Sequence, residues 1–399
     1  MKLANTLLAT ISIVVLFGCA SQSPTNALTQ ARLQAHMPSL NNDLFLQPQQ
    51  SVVSAHQLFV LTSSQQQDFL LDFNGRLSDL PEHERISVYL HDITFGFNYK
   101  EKTYTASEAF ALSAGNCMAL AILTKSLADV AGVEIKFQRV TNAPVFDRNN
   151  NIVLVSDHVR ARLYKPLDTF NESDDKTLLK RAWVVVDYFP SSASQNAEMI
   201  TDTEFLALYY RNRAAELMVD GLVDDAYAYA TEALKYTPND SEVLNLLGLL
   251  HGRREDVLTA EQLFRYALRL NPDNLNVLHN YQSLAKRQQR HDLVALLEQR
   301  IQSIPEANPY TWIALGDVAF TQNQLDTAMM MYRKAAKQAP YVHEAYWGQA
   351  RVLVAQGETQ QARRVLEKGL REARISATKA QFKTGWYSYQ TQAQKKPLD

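Results

Sequence analysis

A fixed internal period constrains this chain more than any other feature. Segments beginning at Ala207, Ser241, Leu275, Pro309 and His343 superpose at a constant spacing of 34 residues, with no insertion. A unit of that length cannot bury its own apolar face, so neighbours stack and share a continuous core. Small residues recur in the first half of the unit at Ala214, Gly248, Gly316 and Ala350. In the second half they recur at Ala226, Ala260, Ala328 and Ala362, and again at Ala233, Ala267, Ala335 and Gly369. Large side chains keep their own columns: Tyr210, Leu244, Leu278, Trp312 and Tyr346, and separately Phe264, Tyr332 and Leu366. Pro238, Pro272 and Pro340 close units, because proline lacks an amide donor and clashes with the preceding turn. The pattern predicts an all-α solenoid of about five helical hairpins over residues 205–376. The third unit departs, with Gln282, Val294 and Ile301 where small residues are expected and Pro305 one place early. A local irregularity or wider helix spacing is expected there.

These columns resemble the tetratricopeptide repeat (TPR). The resemblance implies that function lies on the concave face of the first helices, where Arg211, Asn245, His279, Ile313 and Trp347 fall in one row. Arg211, Asn245, His279 and Trp347 are the candidate contacts for a peptide or protein partner, since Trp and Arg are enriched at binding hot spots. A merely solvated face would carry a similar row. Residues 377–399, with Phe382, Trp386, Tyr387 and Tyr389, read as a capping helix or tail.

The repeats leave about half of the 399 residues unexplained, and a single core rarely grows beyond about 250–300 residues. Lys and Arg number 40 against 42 Asp and Glu, a net charge of −2, so nothing draws the chain toward nucleic acid. At the N-terminus Lys2 precedes an apolar run over residues 7–17, too short to span a bilayer. Leu16, Phe17, Gly18 and Cys19 close it and resemble the bacterial lipobox. That resemblance implies a signal peptide over residues 1–18 and lipidation of Cys19, the alternative being an ordinary signal peptide that contains a cysteine. Two or more acyl chains anchor a protein firmly. Ala20, in place of an inner-membrane Asp, implies the outer membrane, facing the periplasm. Residues 19–50 are rich in Gln, Asn, Ser and Pro and read as a polar tether, partly helical around residues 28–36.

Chemistry concentrates in residues 51–200. Beyond Cys19, Cys117 is the only thiol. Residues 113–116 read as a turn, Asn116 is placed to cap, and Cys117 opens a helix ending near Gly132. Unpaired amides at a helix start stabilise a thiolate. Strands are expected over residues 134–140, 151–164 and 181–188. Alternation puts His158 with Arg160, Arg162 and Tyr164 on one face, opposite Val159, Ala161 and Leu163. Asp187 shares a face with Trp183 and Val185, where a carboxylate is costly unless paired, and a neighbouring imidazole would pair it. His158 and Asp187 also admit bland readings, as a surface histidine and a turn residue. His91, followed by Asp92, is a rival base.

Gly115-Asn116-Cys117 at a helix start, His158 within a strand, and Asp187 after Trp183-Val184-Val185-Val186 resemble the transglutaminase-like cysteine superfamily. The resemblance implies an α+β papain-like core, with Cys117 as nucleophile, His158 as base then acid, and Asp187 fixing the imidazole tautomer. Its reaction is attack on a glutamine amide or peptide bond through a thioester, resolved by water or an amine. No zinc-ligand spacing, Gly-rich phosphate cradle or dinucleotide fingerprint is present, so no cofactor is expected. The sequence therefore suggests a lipid-anchored cysteine hydrolase or acyltransferase whose repeats recruit a protein. The alternative is a non-catalytic envelope scaffold using both domains as protein-binding modules.

Overall fold

A computed structural model describes residues 37–94, 98–99, 102–149, 152–166, 181–187, 197–305 and 308–372. The signal segment, Cys19, the helix expected near residues 28–36 and the tail over residues 377–399 lie outside them.

The first half is α+β. Helices α1 (Ala55–Leu58), α2 (Ser63–Asn74) and α3 (Glu82–Ile93) precede a short parallel pair, β1 (Asn98–Tyr99) with β2 (Ala114–Gly115), around α4 (Ala106–Leu112). Ser54, Thr62 and Thr105 start α1, α2 and α4 with reciprocal caps from Gln57, Gln65 and Glu108. Helix α5 (Cys117–Ala131) leads to β3 (Ile135–Asn149), β4 (Ile152–Tyr164), β5 (Trp183–Val186) and β6 (Ala197–Ile200). The last four form an antiparallel sheet in the order β5-β4-β3-β6. β3 runs nine residues beyond the expected end at residue 140, because it breaks register there and resumes pairing at Val145 with Ser156. Alternation in β4 holds from Val159 onward, with Val159, Ala161 and Leu163 fully buried and Arg160, Arg162 and Tyr164 partly exposed, whereas His158 is buried as well.

Five helix pairs follow: α6 (Asp202–Val219) with α7 (Val223–Tyr236), α8 (Ser241–Arg253) with α9 (Val257–Leu270), α10 (Leu275–Arg287) with α11 (His291–Gln302), α12 (Pro309–Thr321) with α13 (Leu325–Gln338), and α14 (His343–Ala355) with α15 (Thr359–Glu372). Helices α8, α10, α12 and α14 begin where the period places them. The small and large columns meet as sterics requires: a Cβ on Gly248 would stand 2.7 Å from the Phe264 ring, and one on Gly316 2.7 Å from Tyr332. In the third unit Gln282 and Glu298 occupy these two positions, and their side chains hydrogen-bond each other. A polar pair thus replaces an apolar one, and Leu297 is the one buried residue of α11.

The first repeat differs from the period. Helix α6 begins at Asp202, five residues before Ala207, capped reciprocally by Thr201 and Glu204. The added turn carries Phe205, whose ring stacks on Phe137 of β3 at 3.8 Å between centroids and lies 6.3 Å from Phe59. That turn belongs to the core of the sheet.

Part of the expected tether also packs against the repeats. Phe45 stacks on Tyr227 at 3.6 Å and meets His251 edge-on at 5.1 Å. The Leu46 and Gln50 amides donate to Asp224 and Asp225 at 3.0 and 3.1 Å, and the Tyr210 hydroxyl donates to the Val53 carbonyl at 2.9 Å. The segment holds chiefly by backbone donors and acceptors and one aromatic ring, so its polar composition hides the contact. No described helix is long and apolar enough to cross a membrane.

Candidate functional site

Cys117 is the first residue of α5. The Asn116 side-chain oxygen accepts the Ala119 amide at 3.0 Å, the expected cap. Gly115, at φ 147°, is required where it stands, because a Cβ there would lie 2.6 Å from that of Ala119. Gly-Asn-Cys is therefore a local device: a bare backbone, a cap, then the thiol. The C-terminal stop is Gly132 in the left-handed region, φ 69°.

Helix α5 packs on β4, the strand that carries His158. His158 Nε2 lies 2.9 Å from Asp187 Oδ1, across the β4–β5 pair. Asp187 sits just past the end of β5, in which Trp183 and Val185 are half-exposed. The carboxylate thus engages the imidazole through Nε2. Cys117 is 3% exposed and His158 1%, so both residues are buried. His91 lies on an exposed turn of α3. Among the described residues no group of three or more His, Cys, Asp or Glu converges as a metal site.

Two supports of this site were not legible beforehand. Asp157, immediately before His158, is ion-paired with Arg211 of α6. Burial pushes the Asp157 carboxyl up, but the Arg211 charge and hydrogen bond outweigh it and hold it below the ordinary value. On the thiol side, the Asn116 amide nitrogen donates to Thr103 Oγ1 at 2.7 Å. Thr103 in turn donates to buried Glu216 of α6, through its amide at 2.8 Å and its hydroxyl at 2.6 Å.

The expected groove row is dispersed. Arg211 is buried against Asp157, with Asp240 3.7 Å away. The reason is α6 itself, which packs against the sheet where the other first helices meet a repeat. Asn245 is buried and accepts from Asn280 at 2.9 Å. Ile313 is buried and Trp347 packs half-buried against the core of the last two repeats, while His279 is exposed. A polar cleft of about 510 Å³ opens between sheet and repeats, lined by Arg139, Asp157, Arg211, Asp240, Asn271 and Asn274 among others.

Models of the tetratricopeptide repeat match residues 211–274 and 319–377, on either side of the irregular third unit. Among solved structures, MamA (residues 41 to the end) from Desulfovibrio magneticus RS-1 is 19% identical, the match covering 43% of this chain and 96% of that one at a TM-score of 0.24. YrrB, described as a TPR protein with an unusual peptide-binding site, is 18% identical, with 45% of this chain and 92% of that one covered at a TM-score of 0.24. The C-terminal half of the chain, residues 211–377, thus carries tetratricopeptide repeats.

Proposed function

We propose that the chain is a cysteine enzyme of the transglutaminase-like type, anchored through a lipid on Cys19 to the outer membrane and facing the periplasm. Its repeats bring it a protein or peptide partner, the role that TPR repeats support. One observation carries the reading: the His158 imidazole of β4 and the Asp187 carboxylate just past β5 are paired at 2.9 Å, and the helix that starts at Cys117 packs on β4. Asp187 holds the proton on Nε2 and supports the imidazolium when it forms. The His158 imidazole takes the Cys117 proton as sulfur attacks an amide carbonyl. The imidazolium then protonates the departing amine, leaving a thioester that water or a second amine resolves. Backbone amides of the first turn of α5 face the charge that develops on the carbonyl oxygen. Cys117 and His158 are buried, so substrate entry requires a movement that uncovers both residues. The cleft beside Asp157 places a partner one residue from the base.

The test is the alkylation of Cys117 by iodoacetamide at neutral pH in the full chain. An activated thiol reacts faster than a free cysteine of pKa about 8.5, and His158→Ala and Asp187→Asn slow it while the thermal melt reports folding. Burial of the thiol favours the adaptor reading as the alternative. A sealed structural cysteine reacts more slowly than a free one, and slow alkylation indifferent to His158 refutes the enzyme.

A further inference from the structure

We propose that α6, the first helix of the repeat array, positions both halves of the reactive pair: Arg211 sets the imidazole of His158 through Asp157, and Glu216 sets the sulfur of Cys117 through Thr103 and Asn116. The inference rests on the triad reading above.

Each of the two residues is preceded in sequence by one linked to α6, Asp157 directly and Asn116 through Thr103. On the imidazole side, β3 pairs Val140 with His158 and then Val145 with Ser156, so four residues of β3 face Asp157 alone. Ladder bonds that ordinarily fix a strand are therefore absent one residue from His158, and bulges of this kind re-aim neighbouring side chains. The Arg211–Asp157 ion pair supplies the missing restraint. Arg211 is buried, and its second contact, Asp240, caps α8 by accepting the Glu242 and Val243 amides. The strand at His158 is thus tied to the first repeat and, through it, to the second.

On the sulfur side, Glu216 accepts both Thr103 donors and is held from its other oxygen by Arg213. The Thr103 hydroxyl, having donated to Glu216, accepts from the Asn116 amide nitrogen. That orients the Asn116 oxygen toward Ala119 and fixes the first turn of α5 where Cys117 stands. The Asn116 backbone N–H, distinct from the side-chain nitrogen that meets Thr103, donates to the Lys102 carbonyl at 3.1 Å. Arg211 and Glu216 are five residues apart, about 7.5 Å along the helix axis. One rigid element therefore sets two anchor points, and a partner that shifts α6 alters the distance and angle between thiol and imidazole.

The experiment uses the full chain with Arg211→Met, Arg211→Lys and Glu216→Gln. Readouts are the pH profile of Cys117 alkylation by iodoacetamide, the ¹⁵N shifts of the His158 ring and the thermal melt. Arg211→Met and Glu216→Gln each slow alkylation at neutral pH by roughly ten- to a hundredfold, the scale of a misplaced reacting group, and Arg211→Lys recovers part of the loss. Arg211→Met moves the His158 ring signals, whereas Glu216→Gln leaves them in place. Gly348→Ala, remote from the site, controls for stability and leaves alkylation at the wild-type rate. Unchanged rates and ring signals in Arg211→Met and Glu216→Gln overturn the proposal, as does an equal slowing in Gly348→Ala. Wild-type alkylation no faster than free cysteine overturns the enzyme reading instead, and the His158 ring signals still decide whether Arg211 positions it.

Discussion

Replacing Phe205 by alanine tests whether the first repeat and the sheet share one core. Phe205 precedes the first residue of the 34-residue period, so a self-contained repeat array has no use for it. In the structure it is 1% exposed, stacked on Phe137 at 3.8 Å with the rings 10° from parallel. Truncating a buried phenylalanine costs about 3–5 kcal/mol, of which the aromatic pair accounts for about 0.5–1.5 kcal/mol. Against a domain stability of about 5–15 kcal/mol that is a large fraction. Urea unfolding gives the total, and hydrogen exchange read by mass spectrometry separates β3 from α8 and α9. If the core is shared, Phe205→Ala lowers stability by at least about 3 kcal/mol, and sheet and first repeats lose protection together. A loss below about 1 kcal/mol, or a sheet that loosens while α8 and α9 keep their protection, refutes the shared core.

Two further outcomes are expected. Gly348→Ala puts a Cβ 2.3 Å from the Tyr332 ring, which Gly316 confines from another side and which bonds to Asp317 at 2.8 Å and Arg351 at 2.7 Å. The ring has nowhere to swing, so the change costs about 1–3 kcal/mol by thermal melt, and a loss under about 0.5 kcal/mol contradicts that packing. His83 and His251 are buried, and burial pushes both imidazoles below their ordinary value of 6.5. The unfolded chain therefore takes up their protons first. The stability they confer is complete above pH 6.5 and is lost as pH falls from there through the lowered folded-state values. Melting temperature should fall between pH 7.5 and 5.5, and the double change His83→Phe and His251→Phe should flatten the slope. A melting temperature constant over that interval in the parent chain contradicts it.

What could be read from the residues alone depended on whether partners lie close in sequence or repeat along it. Helix starts at Ser241, Leu275, Pro309 and His343 were legible because small and large columns recur with the period. The Asn116 cap was legible because a cap acts within one turn. The His158–Asp187 pair was inferred because a carboxylate on a strand demands a partner. A further column escaped notice: the turn within each pair holds a left-handed residue at Gly221, Glu255, Gln289, Asn323 and Gly357. Gly221, Asn323 and Gly357 carried that signal, and Glu255 and Gln289 concealed it. Arg211 was assigned to the groove because its column was read and its position against the sheet was not. Its partner Asp157 lies 54 residues away, beyond any local pattern. Glu216 and Thr103 were missed for the same reason.

The third repeat determines how far the array can act as one body. Repeats one and two are continuous with the sheet through Phe205 and Arg211, and with the segment before α4 through Glu216 and Thr103. Residues of α12 to α15, among them Ile313, Tyr332, Tyr346 and Leu366, form a core cluster of their own. Between them stand Gln282, held by Glu298 and by Lys286 at 3.0 Å, and α11 with Leu297 as its one buried side chain. A buried large apolar side chain contributes roughly 1.5–3 kcal/mol, whereas an exchangeable polar pair contributes about 1 kcal/mol. The joint is accordingly softer than either neighbour. Torque from a partner gripping the last two repeats dissipates there, while a partner in the cleft beside Arg211 acts directly on α6. Of the two ends of the array, the cleft end is therefore the one whose occupancy the thiol and imidazole would register.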